Sequence, residues 1–478
     1  MDRRNLNRKT PLAQKSSSTK IIDRGTGLRV VVVLIGLVLA SRLFYLQIIK
    51  HDYYDKLAIA EQQKKFTIPA DRGSLYFRDG SDVVPGVLNS NVYTLFADPT
   101  EVKNPDEVSK IISGSLGMDR GDVKRNLQRK KTSYVVIAKR LSKEAVDKLF
   151  RQKSKLVGVN IIAVPQRVYP EGELGAQALG FVNDEGDGQY GIEGALNKRL
   201  KGSEGVLKAT TDVNGVPLSV DDRNSVAKPP KNGDDLVLTI DRNIQAKAEE
   251  ALKIGLERSK ATKGSIIVLD PNTGAIKAMA NLPTYDPSKY YDVGDDAYEK
   301  FQNRIVSSPY EAGSVIKTLT MAAGINEGVV NKDSQFKNTG SVTVADATIK
   351  NVEQDVNGTR SMTDVLKYSL NTGVVYVLSQ LGGGSINEQA RTKLYDYFAG
   401  RYGFGQPTGI EQSGEVEGTI FRPNAEQGNN VRYSNMAFGQ GMDVTMAQVS
   451  SAFSSVINGG NYYQPHLVEG MLKEDGSI

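Results

Sequence analysis

A run of twenty mostly apolar residues, Val30–Ile49, near the start of the chain limits the fold more than any other feature. As a helix it would be about 30 Å long, which matches the hydrocarbon core of a bilayer. Arg42 would lie inside that core, which is costly unless its side chain snorkels or pairs. Residues 1–29 are polar and carry eight Lys/Arg and two Asp, so they are predicted to be a disordered arm. The sequence therefore predicts a single-pass membrane protein with a cytoplasmic N-terminus and with everything after Lys50 outside the cytoplasmic membrane.

Two other interpretations of this run stay open. A cleaved signal peptide would use Val30–Ala40 as its apolar segment, with a cleavage site at Val38-Leu39-Ala40. The apolar residues in Leu43–Ile49 extend beyond that site, which favours an uncleaved anchor. A buried helix of a soluble domain is the third interpretation, and the basic arm argues against it.

Charge and residue usage exclude several classes of function. Beyond residue 29 the chain has 52 basic and 53 acidic residues, so it lacks the basic footprint of a nucleic-acid-binding protein. The absence of cysteine excludes a thiol nucleophile, a cysteine-ligated metal and disulfides. With only His51 and His466, neither a Ser-His-Asp triad nor a histidine metal site is expected. We therefore expect no cofactor, no metal and no nucleic-acid partner, and a nucleophile would need Lys, Tyr or a carboxylate as its base.

Composition divides the chain after the anchor into two domains. Residues 50–226 mix short strand-like and helical stretches, and residues 227–234, with Pro229 and Pro230, are predicted to be a linker. Residues 235–478 then start a new pattern, which predicts an antiparallel sheet with helices packed on it. The predicted elements are a strand at Leu236–Ile240, a helix at Arg242–Arg258, and a hairpin whose strands are Ser265–Leu269 and Ala275–Ala280.

The spacing Ser-x-x-Lys occurs four times, at Ser17, Ser225, Ser314 and Ser334. Only Ser314 follows a glycine, Gly313, and opens an apolar stretch, Val315–Ile325, which predicts a buried helix. Residues three apart share one helix face, so Lys317 would lie beside the Ser314 hydroxyl at the positive end of the helix dipole.

A lysine can act as a base when burial lowers its pKa. Four residues could supply that burial: Val315, Ile316, Leu319 and Met321. The alternative, a serine that caps a helix whose lysine faces solvent, stays open on this motif alone.

A second segment follows 55 residues later. Ser361 and Asp364 form a capping-box pattern, which predicts a helix over Met362–Tyr368. The triplet Ser369-Leu370-Asn371 lies at the end of this helix and by itself is only a turn signal.

Together these segments resemble the class B penicillin-binding proteins, and most closely the division-type peptidoglycan transpeptidases. The resemblance covers nearly the whole chain after residue 29. Besides Tyr310–Lys317, where Ala312 stands at a usual proline, it includes the anchor exit Leu43-Phe44-Tyr45-Leu46-Gln47, the pedestal motifs Arg72-Gly73-Ser74-Leu75, Arg167-Val168-Tyr169-Pro170 and Gly191-Ile192-Glu193, and the segment Phe438-Gly439-Gln440-Gly441, which is similar to a sheet-side motif. The resemblance implies an α+β protein with a single N-terminal transmembrane helix, an elongated mixed α/β pedestal (dimerisation-type) domain and a penicillin-binding transpeptidase domain, here missing its C-terminal part.

The resemblance also implies a serine acyl-enzyme mechanism on peptidoglycan stem peptides. Ser314 would be the nucleophile, Lys317 its base and Ser369 a proton relay, while Asn371, with Gly313 and Thr372, would bind substrate. β-Lactams would acylate Ser314. The implied partner is a multi-span SEDS-type glycan polymerase with other division proteins, and the implied role is cell-wall synthesis. The resemblance to division-type members favours a septal role, and a side-wall role stays open.

One departure from the family pattern is large. Its third active-site motif, Lys-Thr/Ser-Gly, does not occur in the chain. We interpret the sequence as C-terminally truncated, so that the chain as written is not expected to complete a turnover. A natural non-catalytic division scaffold or β-lactam sensor is the alternative, and a β-lactamase or DD-carboxypeptidase is a further rival that would not need the pedestal.

Overall fold

The structure, a computed structural model, describes residues 24–55, 63–210, 226–352 and 355–478. The chain divides into two compact units, one comprising residues 1–68 and 205–229 and the other residues 69–204 and 230–478. Residues 1–23, most of the predicted arm, lie outside the described residues.

Within the described ranges, strands and helices follow one another along most of the chain. The strands are β1 Gln63–Ile68, β2 Leu75–Asp79, β3 Asp82–Ala97, β4 Val135–Leu141, β5 Val159–Val168, β6 Phe181–Val182, β7 Gly188–Gln189, β8 Gly205–Thr210, β9 Val226–Lys228, β10 Leu236–Asp241, β11 Gly264–Leu269, β12 Ile276–Leu282, β13 Gln335–Asn338, β14 Ser341–Val344, β15 Ala347–Lys350, β16 Gly358–Ser361 and β17 Val468–Met471. The α-helices are α1 Arg24–Phe44, α2 Pro105–Leu116, α3 Arg120–Leu127, α4 Lys143–Phe150, α5 Ala176–Leu179, α6 Gly191–Ala195, α7 Asn197–Lys201, α8 Arg242–Ser259, α9 Arg304–Ser307, α10 Ile316–Asn326, α11 Met362–Lys367, α12 Asn371–Leu381, α13 Glu388–Tyr395, α14 Asn430–Met436 and α15 Met446–Ile457.

The first unit contains the apolar helix and a small antiparallel sheet. α1 continues into a π-helical turn, and Gly27–Ile49 is the one stretch of the described chain that is long and apolar enough to cross a membrane. The Arg42 guanidinium lies 5.6 Å from the centre of the Tyr45 ring. This cation–π contact gives the charged side chain a partner one turn along the same helix. In the sheet, β8 pairs with β1 on one side and β9 on the other.

A six-stranded sheet joins the two sequence halves of the second unit. Its order is β17-β10-β2-β3-β4, and β5 also pairs with β3. β2 and β10 run parallel, with the buried Leu75 opposite the buried Leu236. The other pairs in this sheet are antiparallel. The predicted hairpin β11–β12 is antiparallel. The parallel pair was not predicted, because the sequence carries no local signal for a partner 161 residues away.

Three pedestal motifs meet in one buried ion cluster. The Glu193 carboxylate has no exposed surface and accepts hydrogen bonds from Arg72 Nε at 2.8 Å and Arg167 Nε at 2.7 Å. Arg167 also donates to Asn89 Oδ1 and to the Gly73 carbonyl, each at 2.7 Å. Two guanidinium groups around one carboxylate satisfy most of the polar atoms that burial takes from water. The cluster therefore fixes three separated segments of the second unit to one another.

The part of the second unit that follows β12 has its largest apolar core around α10 and α12, with α13 and α14 packed beside them. α11 begins with the predicted capping box, in which the Ser361 hydroxyl accepts from the Asp364 amide and the Asp364 carboxylate accepts from the Ser361 amide. α8 begins where the Asp241 carboxylate accepts from two amides of its first turn. The predicted mixed α/β organisation is confirmed, as are the helices over Arg242–Arg258 and Met362–Tyr368 to within one residue at each end.

Candidate active site

Ser314 and Lys317 lie where a 3-10 turn passes into α10. Residues Gly313–Val315 form the turn, so Ser314 precedes the α-helix rather than beginning it. The Ser314 side chain is exposed, whereas Lys317, one turn later, is only 2% exposed. Three predicted neighbours, Ile316, Leu319 and Met321, are buried as expected.

The prediction that Val315 helps to bury the lysine is wrong. Its side chain is 46% exposed. It belongs to the 3-10 turn, where its side chain does not follow the buried face of the helix that comes next.

Ser369 joins the lysine to the first serine. Lys317 Nζ donates to Ser369 Oγ at 2.8 Å and to the Ser369 carbonyl at 2.6 Å. Ser369 Oγ in turn donates to Ser314 Oγ at 3.0 Å. Ser369 has φ 52°, a left-handed conformation that is uncommon for a residue with a side chain. This conformation lets one residue offer both oxygens to the same ammonium group.

The electrostatics of the lysine follow from its burial. No carboxylate is among the hydrogen-bond partners of Lys317 in the described part of the chain. Desolvation therefore dominates and lowers the pKa of Lys317 from 10.5 to about 8. A useful fraction of neutral amine at neutral pH is what a proton acceptor for a serine hydroxyl requires.

The structure places Asn371, Thr372 and Gly313 around this centre in different ways. Asn371 opens α12 half-buried, and its side-chain nitrogen donates to the Lys350 carbonyl at 2.8 Å. Thr372 is buried, and its hydroxyl donates to Asn338 Oδ1 at 2.9 Å. Gly313 has φ 62°, which a glycine adopts without strain.

The segment Phe438-Gly439-Gln440-Gly441, which resembles a sheet-side motif, lies against the turn that carries Ser314 and itself forms no strand. The Gly313 amide donates to the Gly439 carbonyl at 2.9 Å. A Cβ atom on Gly439 would lie 2.1 Å from the Gly313 carbonyl oxygen, so no larger residue fits there. The Gly441 amide donates to Glu311 Oε1 at 2.6 Å. These contacts therefore fix the position of the turn that carries Ser314.

Some residues of the site gave no usable signal in the sequence. Glu311 precedes the serine motif, yet nothing in its spacing indicates that its carboxylate holds a distant amide. Asn338 and Asn351 lie in a stretch rich in turn residues and look like loop asparagines, although both are buried. Ala312, at the usual proline position, has φ −69°, a value that a proline ring would also impose.

Among the residues that the structure describes, no group of three or more acidic or histidine side chains is placed to hold a metal ion.

Two family models match most of the chain. The chain matches the family model "Penicillin binding protein transpeptidase domain" over residues 264–476 and the model "Penicillin-binding Protein dimerisation domain" over residues 67–238.

Two curated relatives are each 31% identical to the chain. They are "Stage V sporulation protein D" of Bacillus subtilis, over 91% of this chain and 65% of that protein, and "Probable peptidoglycan D,D-transpeptidase PbpC" of Pseudomonas aeruginosa, over 90% of this chain and 72% of that protein.

A solved structure, Penicillin Binding Protein 2X from Streptococcus thermophilus, has the same fold. Its TM-score is 0.65 at 24% identity, over 85% of this chain and 61% of that chain. The chain therefore spans less than two thirds of this protein and of the Bacillus relative.

Proposed function

This chain belongs to the class B penicillin-binding proteins, and we propose that it acts as a membrane-anchored serine D,D-transpeptidase that cross-links peptidoglycan stem peptides. The observation that carries the proposal is the hydrogen-bonded chain from Lys317 through Ser369 to Ser314. A buried amine, a bridging hydroxyl and an exposed hydroxyl in one line are the parts that serine acyl transfer needs.

The proposed acylation step moves one proton along this chain. Neutral Lys317 takes the proton of the Ser369 hydroxyl as Ser369 takes that of Ser314, and Ser314 Oγ attacks the carbonyl carbon of the penultimate D-Ala. The carbon–nitrogen bond to the last D-Ala then breaks, and the proton returns through Ser369 to the departing amine. The amine of a neighbouring stem peptide resolves the ester by the reverse path, which regenerates Ser314.

The surrounding residues have supporting roles in this proposal. The Ser314 amide would donate to the oxyanion at the positive end of the turn and helix. The Asn371 side chain would hydrogen-bond the substrate backbone, since one N–H to the Lys350 carbonyl leaves its carbonyl oxygen and its second N–H for the substrate. Gly313 would leave room for the substrate, and Thr372, being buried, would contribute by holding the start of α12.

We propose the location from the apolar helix and the partners from the family resemblance. Gly27–Ile49 would be the membrane anchor, with the basic arm in the cytoplasm and residues after Lys50 outside. We propose residues 50–226 as the pedestal, 227–234 as the linker and 235–478 as the transpeptidase domain. Division proteins, including a SEDS-type glycan polymerase, are the proposed partners of the anchor and pedestal, and the role is septal.

Fluorescent penicillin labelling tests the proposal. The gene is expressed to its natural stop codon, and wild type is compared with Ser314→Ala, Lys317→Ala and Ser334→Ala. Ser334 is the matched control, because it also stands three residues before a lysine but lies outside this site. We expect a covalent band in wild type and Ser334→Ala that is lost in Ser314→Ala.

Two outcomes would overturn the proposal. A folded wild-type protein that takes no label would favour a non-catalytic division scaffold. Labelling that survives in Ser314→Ala would place the nucleophile elsewhere.

A further inference from the structure

Helix α12, which begins at Asn371, has no side-chain cap from its own sequence. Its N-cap position is the buried Leu370, which has no polar side-chain atom to offer the first amides. The amide of Thr372 instead donates to Asn351 Oδ1 at 3.0 Å. Asn351 follows β15 and is 21 residues earlier in the chain, so the helix is capped from a different element.

A second asparagine holds the first in place. Asn351 Nδ2 donates to Asn338 Oδ1 at 3.0 Å, and the same oxygen accepts from the Thr372 hydroxyl at 2.9 Å. Asn338 Oδ1 also accepts from the Gly340 amide, and its nitrogen donates to the Val356 carbonyl. Asn338 and Asn351 are 2% and 3% exposed. A buried side-chain amide whose oxygen and nitrogen both have hydrogen-bond partners has one preferred orientation.

This network ends directly at the reacting residues. The backbone carbonyl of Lys350, next to Asn351, accepts from the Asn371 side chain. On the other side of that segment, Ser369 keeps its left-handed conformation and faces Lys317 with two oxygens. The four residues from 369 to 372 are therefore held by the lysine at one end and by the Lys350–Asn351 segment at the other.

We infer that Asn351, oriented by Asn338, is a positioning residue for Ser369 and Asn371. Its side-chain oxygen fixes the first turn of α12, and its backbone neighbour fixes the Asn371 amide, so that the bridging hydroxyl and the substrate-binding amide keep their spacing. This inference rests on the proposed function of Ser314, and it assigns a role to residues outside the Ser-x-x-Lys and Ser-x-Asn motifs.

Single-turnover acylation by a fluorescent penicillin separates positioning from folding, again with the gene product expressed to its natural stop codon. The burst amplitude counts folded sites, whereas the rate constant reports the geometry of each site. Asn351→Ala should lower the rate constant by about 10²-fold, because a displacement of about 1 Å near reacting atoms has that effect. The loss of rate constant in the double variant Asn351→Ala/Asn371→Ala should differ strongly from the product of the losses in the two single variants.

Asn281→Ala is the matched control. Asn281 is also a buried asparagine, 2% exposed, and it pairs with another buried asparagine, Asn303, at 3.0 Å. Its loss should reduce thermal stability and burst amplitude but leave the rate constant of the remaining sites unchanged.

A second variant covers the case in which Asn351→Ala does not fold. Thr372→Val keeps the side-chain shape, removes the hydroxyl bond to Asn338, and should lower the rate constant about fivefold, as the loss of one neutral hydrogen bond does.

The results have distinct meanings. A wild-type protein that is not acylated defeats the proposed function itself. If the wild type is acylated and the rate constants of Asn351→Ala and Thr372→Val are unchanged, the positioning role is overturned and the proposed function stays intact. If Asn351→Ala does not fold, an unchanged rate constant in Thr372→Val alone has the same meaning.

Discussion

The acylation rate constant of Ser314 should rise with pH and reach half its maximum near pH 8. Burial lowers the pKa of Lys317 from 10.5 to about 8. About one molecule in ten then carries a neutral lysine at pH 7, which is roughly 300-fold more than an unperturbed lysine would provide. Because only the neutral amine accepts a proton, the rate constant should rise about tenfold from pH 7 to pH 9 and then level off.

The assay is single-turnover labelling between pH 6 and pH 10, with the stability of the penicillin measured separately at each pH. Lys317→Arg is the matched control, because its guanidinium stays charged over the whole range and its rate constant should be very low and flat. The expected profile therefore belongs to the lysine and not to the ligand.

The same shift predicts a change in stability. Between about pH 8 and pH 10.5 the unfolded state binds more protons at this lysine than the folded state does, so the free energy of unfolding should rise with pH across this window. A shift from 10.5 to about 8 corresponds to about 3 kcal/mol in total, all of it absent below pH 8. For the acylation assay, a rate constant of the wild type that does not change with pH, or one that reaches half its maximum near pH 10.5, would refute the reasoning.

Three further substitutions test the packing around the site and the pedestal. Gly439→Ala puts a Cβ 2.1 Å from the Gly313 carbonyl and should lower the acylation rate constant by at least about 10²-fold, whereas Gly459→Ala, which has a similar φ but open space around it, should not. Equal rates in the two variants would contradict the contact. Glu193→Gln leaves two buried guanidinium groups underpaired and should reduce the free energy of urea unfolding by about 3–5 kcal/mol. A loss below about 1 kcal/mol, as expected for a pair near the surface, would show that the cluster is not stabilising. Ser361→Ala removes the capping box of α11 and should cost about 1 kcal/mol in the same measurement, while an unchanged midpoint would mean that the cap is dispensable.

Local patterns predicted the local parts of this molecule. The capping box predicted the start of α11, because that effect acts within one helical turn. The spacing of Ser314 and Lys317 predicted that the two lie side by side, and the hydrogen bonds that link them pass through Ser369 Oγ, which that spacing does not indicate. The hairpin β11–β12 likewise followed from local pattern, since two apolar runs stand on either side of a turn sequence. The roles proposed for Ser314, Lys317, Ser369 and Asn371 stay predictions until acylation is measured.

Contacts between distant segments were not predictable from local pattern. Gly439 contacts the Gly313 turn only after the two segments meet in the folded chain. A glycine-rich tetrapeptide is typical of any tight turn, so its composition does not indicate this contact. Asn338 and Asn351 have ordinary loop neighbours in sequence, and only tertiary packing makes them buried. Val315 was assigned to the buried side because the α-helix was expected to begin one residue earlier than it does.

The parallel pair β2–β10 has a consequence for biosynthesis. Leu75 is synthesised 161 residues before its partner Leu236, so at about 5–20 residues per second the edge of β2 remains unpaired for roughly 10–30 s. An exposed apolar edge is a site for wrong pairing during that interval. Nascent chains stalled before residue 236 should accordingly be cut by protease within the β2–β3 segment, and chains stalled well after β10 should resist.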